Sequence, residues 1–210
     1  MGKVVFISGG DTGVGKTYIT LQLIEALARR GVRVGAIKPI ETGIELFRPG
    51  ESDGEQILAQ LKRFNPSLDW KLSQISPYRF KLPASPAVAG RVDPRHLVEH
   101  TLRLAEEVEL LLVEGAGGIM VPITDHYSML EFGEELGGGI VVVLSSRLGV
   151  INSYHLNRFL LEKRGIGRSL FLINLMDDSY WEITHPYLKK FHLPIWQRQR
   201  EEVVEAILNL

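Results

Sequence analysis

Gly10-Asp11-Thr12-Gly13-Val14-Gly15-Lys16-Thr17 has the G-x-x-x-x-G-K-S/T spacing of a phosphate-binding loop. In such a loop the backbone N–H groups of a glycine-rich turn converge on phosphate oxygens. The start of the following helix adds partial positive charge. Lys16 is then placed to reach the β- and γ-phosphates, and the Thr17 hydroxyl to hold Mg²⁺. The setting agrees with the motif. The apolar run Val4-Val5-Phe6-Ile7 reads as a buried strand, and Thr20-Leu21-Gln22-Leu23-Ile24-Glu25-Ala26-Leu27 reads as a helix. The plain alternative is a glycine-rich turn that binds nothing.

Other chemistry-bearing residues fall at strand ends. Lys38 closes an apolar run in Lys38-Pro39-Ile40-Glu41-Thr42-Gly43. It is either a second cation beside the phosphates or a strand-end lysine that reaches water. Asp53 follows Ser52 at a helix start, where an acid complements the helix dipole or ligates Mg²⁺. Glu114 ends the run Val108–Val113 and precedes Gly115-Ala116-Gly117-Gly118. Small residues there let backbone approach a ligand closely. Thr17, Asp53 and Glu114 together offer the hard oxygen ligands that suit Mg²⁺. Arg147-Leu148-Gly149-Val150-Ile151-Asn152-Ser153 joins a strand to a helix. The free N–H groups of that helix start suit a carboxylate, unless the stretch is an ordinary loop.

Some candidates weaken on inspection. His96 and His100 are four residues apart, with no third metal ligand in view. Asp177-Asp178 reads as a loop and helix cap. Trp70, Trp181 and Trp196 are scattered, so they read as packing or pocket walls rather than a nucleic-acid stacking platform.

The elements that must position these residues alternate. Strands are predicted at Val4–Ser8, Val32–Lys38, Leu110–Glu114, Ile140–Leu144 and Leu170–Asn174. Helices are predicted at Lys16–Arg30, Asp53–Leu61, Pro94–Glu107, Ser128–Leu136, Ile151–Arg164 and Ser179–Phe191. The pattern predicts an α/β fold with a mostly parallel central sheet flanked by helices, one domain over residues 1–210. Ligands then bind beyond the carboxyl ends of the strands. Phe64–Pro94 carries Pro66, Pro77, Pro83 and Pro86. It is either a functional loop or a stretch whose elements are hidden.

Composition narrows the class. Of 210 residues, 45% are hydrophobic and 23% charged, with a net charge of −1, so nothing pulls the chain toward nucleic acid or an anionic membrane. No apolar run approaches the ~20 residues of a membrane span. Lys3 leads at once into the first predicted strand, so no signal peptide is expected. The expected location is the cytoplasm. There is no cysteine, which excludes disulfides, thiolate metal sites and a cysteine nucleophile.

Taken in order, seven segments resemble motifs of the dethiobiotin synthetases. Asp11–Thr17 resembles that family's D-T-x-V-G-K-T, and Lys38–Gly43 its K-P-(V/I)-x-(S/T)-G. Ser52-Asp53 resembles the start of its next helix. Pro77-Tyr78-Arg79-Phe80 and Pro83-Ala84-Ser85-Pro86 resemble P-Y-x-F and P-x-S-P. Val113–Gly118 resembles V-E-G-A-G-G, and Leu148–Asn152 resembles L-G-x-I-N. The resemblance implies an ATP-dependent cyclo-ligase in a P-loop NTPase fold. It would join CO₂ to 7,8-diaminononanoate and close a ureido ring. It implies catalytic roles for Thr12, Lys16 and Lys38, and Mg²⁺ ligation by Thr17, Asp53 and Glu114. Nucleotide contacts are implied for Gly13, Val14, Gly15, Lys16, Thr17, Tyr18, Asp53, Glu114, Gly115, Ala116, Gly117 and Asn174. Substrate contacts are implied for Thr42, Val150, Ile151 and Asn152, the last three across the interface of a homodimer.

Two departures stand out. Gly13 occupies a position where many relatives carry glutamate. Leu175 follows Asn174 where the family has an N-D pair for the base, which predicts a weaker preference for ATP over other triphosphates. Two rival readings remain. A partitioning or positioning ATPase would carry a signature lysine five positions before the loop lysine, where this chain has Asp11. A cobyrinate-type amidoligase would need a glutamine-hydrolysing domain with a cysteine nucleophile.

Overall fold

In the computed structural model, which describes residues 2–210, β1 (Lys3–Gly9) runs through the glycine-rich loop into α1 (Lys16–Arg29). Then come β2 (Val34–Ile37), β3 (Ile40–Thr42), α2 (Asp53–Phe64), the short α3 (Leu72–Ile75), β4 (Tyr78–Phe80), α4 (Pro86–Ala89) and α5 (Pro94–Ala105). The second half holds β5 (Leu110–Gly118), a hairpin of β6 (Pro122–Thr124) and β7 (Tyr127–Ser128), and α6 (Met129–Glu135). β8 (Gly139–Ser145), α7 (Val150–Lys163), β9 (Ser169–Asn174), α8 (Tyr180–Ile183), α9 (His185–Leu188) and α10 (Arg200–Asn209) complete it.

Five strands form one parallel sheet in the order β2-β5-β1-β8-β9. Val4 to Gly9 and Gly139 to Leu144 are all buried. Helices cover both faces, so these strands read as continuous apolar runs rather than alternating ones. Phe6 meets Phe132 edge to face at 5.7 Å. It also needs glycine beside it: a Cβ on Gly115 would sit 2.9 Å from its ring. That close packing fixes the backbone immediately after Glu114. Because parallel strands point the same way, the carboxyl ends of β1, β2 and β5 meet at one edge of the sheet, where α/β folds bind ligands.

The structure refines several predicted elements. β2 is shorter than the predicted Val32–Lys38. The Lys38 N–H leaves the sheet and donates to the Ile75 carbonyl at 3.0 Å. The stretch 64–94 holds α3, β4 and α4, and β4 pairs in parallel with β3, Glu41 opposite Arg79. Both strands have three residues, too short for a period to declare itself. The helix predicted at Ser179–Phe191 breaks into α8, α9 and a 3₁₀ turn at Lys189–Phe191. Pro186 lacks an N–H and crowds the carbonyl four residues back. A further helix not predicted from the sequence, α10, buries Val203, Val204 and Ile207. Its Glu205 pairs with Arg30 at 2.6 Å, and Glu201 engages the same guanidinium.

Candidate active site

The loop is built for close approach. Gly15 caps α1 with φ 91°, a left-handed conformation that only glycine adopts freely. An added Cβ there would also run into the Asn174 side chain. Lys16 opens α1 with its side chain folded back, Nζ donating to the Asp11 carbonyl at 3.2 Å. Burial pushes its pKa down to about 8, and the nearby Lys38 ammonium adds to that. Glu114, Asp53 and Asp11 oppose it.

Lys38 lies at the centre. It is 5% exposed, so the strand-end lysine does not reach into open water. Its Nζ donates to Glu114 Oε1 at 2.8 Å and the Gly115 carbonyl at 3.2 Å, and pairs with Asp53 Oδ2 at 3.0 Å. Burial alone would lower its pKa. The two carboxylates outweigh that and hold it well above the ordinary lysine range. Burial would raise the Asp53 pKa, and the Lys38 charge overrides this and lowers it. Glu114 is fully buried. Its Oε1 also accepts from Thr17 Oγ at 2.7 Å, while its Oε2 has no hydrogen-bond partner among the described residues.

That orphan oxygen tests the fit of a metal ion. A buried carboxylate oxygen without a partner is costly. Thr17, Asp53 and Glu114 present hydroxyl and carboxylate oxygens, the donor set of Mg²⁺. No group of three or more His, Asp or Glu side chains able to hold a metal occurs among the described residues. A cation here would complete its shell with phosphate oxygens and water, as Mg²⁺ commonly does. His96 and His100 form no such group either. His96 faces the Tyr78 hydroxyl at 3.1 Å, and His100 bonds the Gln74 carbonyl at 2.8 Å.

Thr12, Gly13, Gly15, Lys16, Thr17, Lys38, Thr42, Asp53, Glu114, Ala116 and Gly117 all line one cavity of about 560 Å³, a size that suits small ligands. Val14, Tyr18, Gly115 and Asn174 stand outside its lining. Val14 is buried beneath the loop and Tyr18 faces outward on α1. Asn174 braces the loop from below: its Nδ2 donates to the Val14 carbonyl at 2.9 Å, and its Oδ1 accepts from Gln197 at 2.7 Å. Gln197 also accepts the Leu175 N–H at 2.9 Å, so it occupies the polar role beside the apolar Leu175. Val150, Ile151 and Asn152 begin α7, also outside the cavity. Ser153, one residue on, donates to the Gly10 carbonyl at 3.3 Å.

Glu41 and Arg79 are not among the predicted site residues. Glu41 lines the cavity and is 2% exposed. It accepts from Gly54 N–H at 2.9 Å and from Arg79 Nε at 3.0 Å. The cavity's far wall comes from Pro83, Ala84, Ser85 and Pro86. The available signal was a glutamate between two residues of an apolar, small-residue run, opposite an arginine in the P-Y-x-F segment. Without the β3–β4 register nothing joins them.

A parallel sheet with a glycine loop feeding a helix, and a buried lysine and carboxylate beside it, defines the P-loop NTPase class. Solved structures agree on the fold. A ParA family ATPase from Chlorobium tepidum aligns with TM-score 0.55 at 18% identity, over 93% of this chain and 83% of that one. A plasmid partition protein from Borrelia burgdorferi aligns with TM-score 0.56 at 11% identity, over 99% and 96%. A family model described as an AAA domain matches residues 3–181. Full-length relatives narrow this further. The chain is 37% identical over 205 residues to the ATP-dependent dethiobiotin synthetase BioD of Sulfurovum, covering 94% of each. It is 37% identical over 217 residues to that of Wolinella succinogenes, covering 99% of each, and 34% identical to that of Methanocaldococcus jannaschii, over 89% and 88%. The chain belongs to the ATP-dependent dethiobiotin synthetase family, a family of ligases that form carbon–nitrogen bonds.

Proposed function

We propose that this protein uses ATP to carboxylate 7,8-diaminononanoate and close the ureido ring of dethiobiotin, releasing ADP and phosphate. The observation that carries the reading is the shared cavity, where Lys16, Lys38, Asp53 and Glu114 meet the phosphate loop and Thr42. In this reading one amine takes up CO₂ as a carbamate. A carbamate oxygen attacks the γ-phosphate, giving a carbamic–phosphoric anhydride and ADP. The second amine attacks the carbonyl and expels phosphate. No protein nucleophile is required, which suits a cysteine-free chain.

The residues serve positioning and charge. Two ammonium groups and the carboxylates of Asp53 and Glu114, with Glu41 neutralised by Arg79, leave the cavity close to neutral before a triphosphate arrives, so additional positive charge is needed. Bound Mg²⁺, held by Thr17, Asp53 and Glu114, would supply it. Lys16 and Lys38 offset charge on the transferring phosphoryl group. Thr12 and the loop amides orient it, and Thr42 faces the diamine.

The start of α7 enters as a contribution from a second copy. Val150, Ile151 and Asn152 hold the substrate carboxylate across a homodimer interface. Exposed Leu148, Leu156 and Phe159 support this, being 91%, 60% and 59% accessible. Asn152, Leu156 and Phe159 recur at helical spacing along one face of α7, and Leu148 lies just before its first turn. No helix among the described residues is long and apolar enough to cross a membrane. We place the enzyme in the cytoplasm, with small molecules rather than nucleic acid as its partners.

The test is phosphate release and ring closure with MgATP and bicarbonate, with and without 7,8-diaminononanoate. Release that requires the diamine is expected. Release indifferent to it would favour a nucleotide-switched ATPase and overturn the proposal.

A further inference from the structure

We infer that Glu41 is a positioning residue for Asp53 and sets how tightly the site holds a divalent cation with its nucleotide. The inference rests on the nucleotide and metal reading above and adds a residue pair to it. Asp53 is the first residue of α2, and the residues on both sides of it are tied to one ion pair. On one side, Glu41 Oε1 accepts the Gly54 N–H at 2.9 Å. On the other, Arg79 Nη2 donates to Ser52 Oγ at 2.9 Å. Glu41 Oε2 and Arg79 Nε close the circuit at 3.0 Å. Glu41 and Arg79 are register partners on β3 and β4, so the small second sheet sets where α2 begins.

Packing restricts the same point. A Cβ on Gly54 would collide with Ser76 Oγ and sit 3.2 Å from Glu41 Oε2. Ser76 Oγ in turn donates to the Lys38 carbonyl at 2.7 Å. The backbone beside Asp53 and the backbone of Lys38, whose ammonium pairs with Asp53, are therefore referenced to one framework. Ligands fixed by such outer partners lose about 10- to 100-fold in metal affinity when the partner is removed.

Charge gives Arg79 a second task. Glu41 is a third carboxylate in the cavity wall, beside Asp53 and Glu114. Its pairing with Arg79 through Oε2 neutralises it, while Oε1 serves the Gly54 N–H. Glu55, 3.9 Å from Arg79 Nη2, accepts the Ser52 N–H at 3.2 Å and holds the guanidinium on that side.

The experiment measures ADP binding to the full chain by calorimetry over a Mg²⁺ series, for the native protein, Glu41→Ala, Glu41→Gln and Arg79→Lys. Glu41→Ala is expected to need about tenfold more Mg²⁺ for half its effect, with metal-free ADP affinity within twofold of native. Glu41→Gln, which keeps an acceptor for Gly54, is expected to recover part of the loss. Arg79→Lys keeps the charge and loses the two-pronged span. It is expected to shift in the same direction by less. An unchanged Mg²⁺ series in Glu41→Ala overturns the inference. So does an equal loss of ADP affinity with and without Mg²⁺, which would mark a purely structural role. Should Glu41→Ala fail to fold, an unshifted Arg79→Lys overturns it alone. A native protein whose ADP binding ignores Mg²⁺ would remove the metal reading too. A responsive native protein with matching variants would remove only the role of Glu41.

Discussion

The phosphate end of the cavity and the flank formed by residues 175–199 are held together differently. At the phosphate end, Lys16, Lys38, Glu41 and Glu114 are all at most 6% exposed, and nearly every polar atom is committed to a named partner. Buried charges persist only under such pairing, so the geometry is over-determined. The flank is built from short turns and stacked rings. Trp181 meets His185 at 5.0 Å, and the Arg198 guanidinium lies 3.9 Å from the Trp181 ring centre. Stacking of this kind tolerates exchange. Leu175 stands there without an unmet polar demand, because Gln197 serves the backbone beside it. From this contrast we expect strict recognition of phosphates and looser recognition of the base.

The largest expected effect breaks the phosphate end. Lys38→Ala removes a cation from the transferring group and should lower kcat about a hundredfold, or roughly 3 kcal/mol, with nucleotide affinity changed only a few-fold. It also strips Glu114 and Asp53 of their shared partner, and one broken buried pair costs about 3–5 kcal/mol. Thermal unfolding without divalent cation should register that loss. Unchanged turnover would remove Lys38 from the chemistry.

Asn174→Ala tests the boundary between the two regions. Asn174 spends its amide on the loop and on Gln197. Its loss should raise KM about five- to tenfold, by the worth of one buried hydrogen bond, for ATP, GTP and CTP alike. The native protein should show KM values for the three within about tenfold. A loss confined to ATP would mean that Asn174 reads the base directly.

The smallest effect lies away from both. His100 donates from Nε2 to the Gln74 carbonyl at 2.8 Å, and its Nδ1 accepts from Arg103 at 3.2 Å, a pattern only the neutral ring can satisfy. Burial lowers its pKa. Arg103 and His96 add to that, while the Gln74 carbonyl works against it. Below the unfolded value near 6.5, the unfolded chain binds the proton more readily, so stability falls with falling pH. His100→Asn should flatten that fall below about pH 6.5, read from urea midpoints. An unaltered slope would show that other groups carry it.

The same contrast governs what the sequence made legible. The glycine loop, Lys38, Asp53 and Glu114 are charged or conformationally special residues at the ends of apolar runs, and such residues announce themselves. The long strands and the helices α1, α2, α5, α6 and α7 follow from runs and periods of adequate length. Glu41 and Arg79 stayed hidden because their meaning lies in a pairing of two three-residue strands far apart in the chain. The predicted helix over 179–191 failed at Pro186, whose missing N–H outweighed the helical pattern around it. α10 was missed because its acidic outer face masks three buried residues.

The central claim is that one cavity passes a phosphoryl group to a carbamate made from the diamine. It is tested most directly with ¹⁸O-labelled bicarbonate, MgATP and 7,8-diaminononanoate, followed by mass analysis of the phosphate released. Because the carbamate oxygen bonded to phosphorus departs with it, the account expects one labelled oxygen per phosphate. Phosphate free of label, formed alongside dethiobiotin, would contradict it.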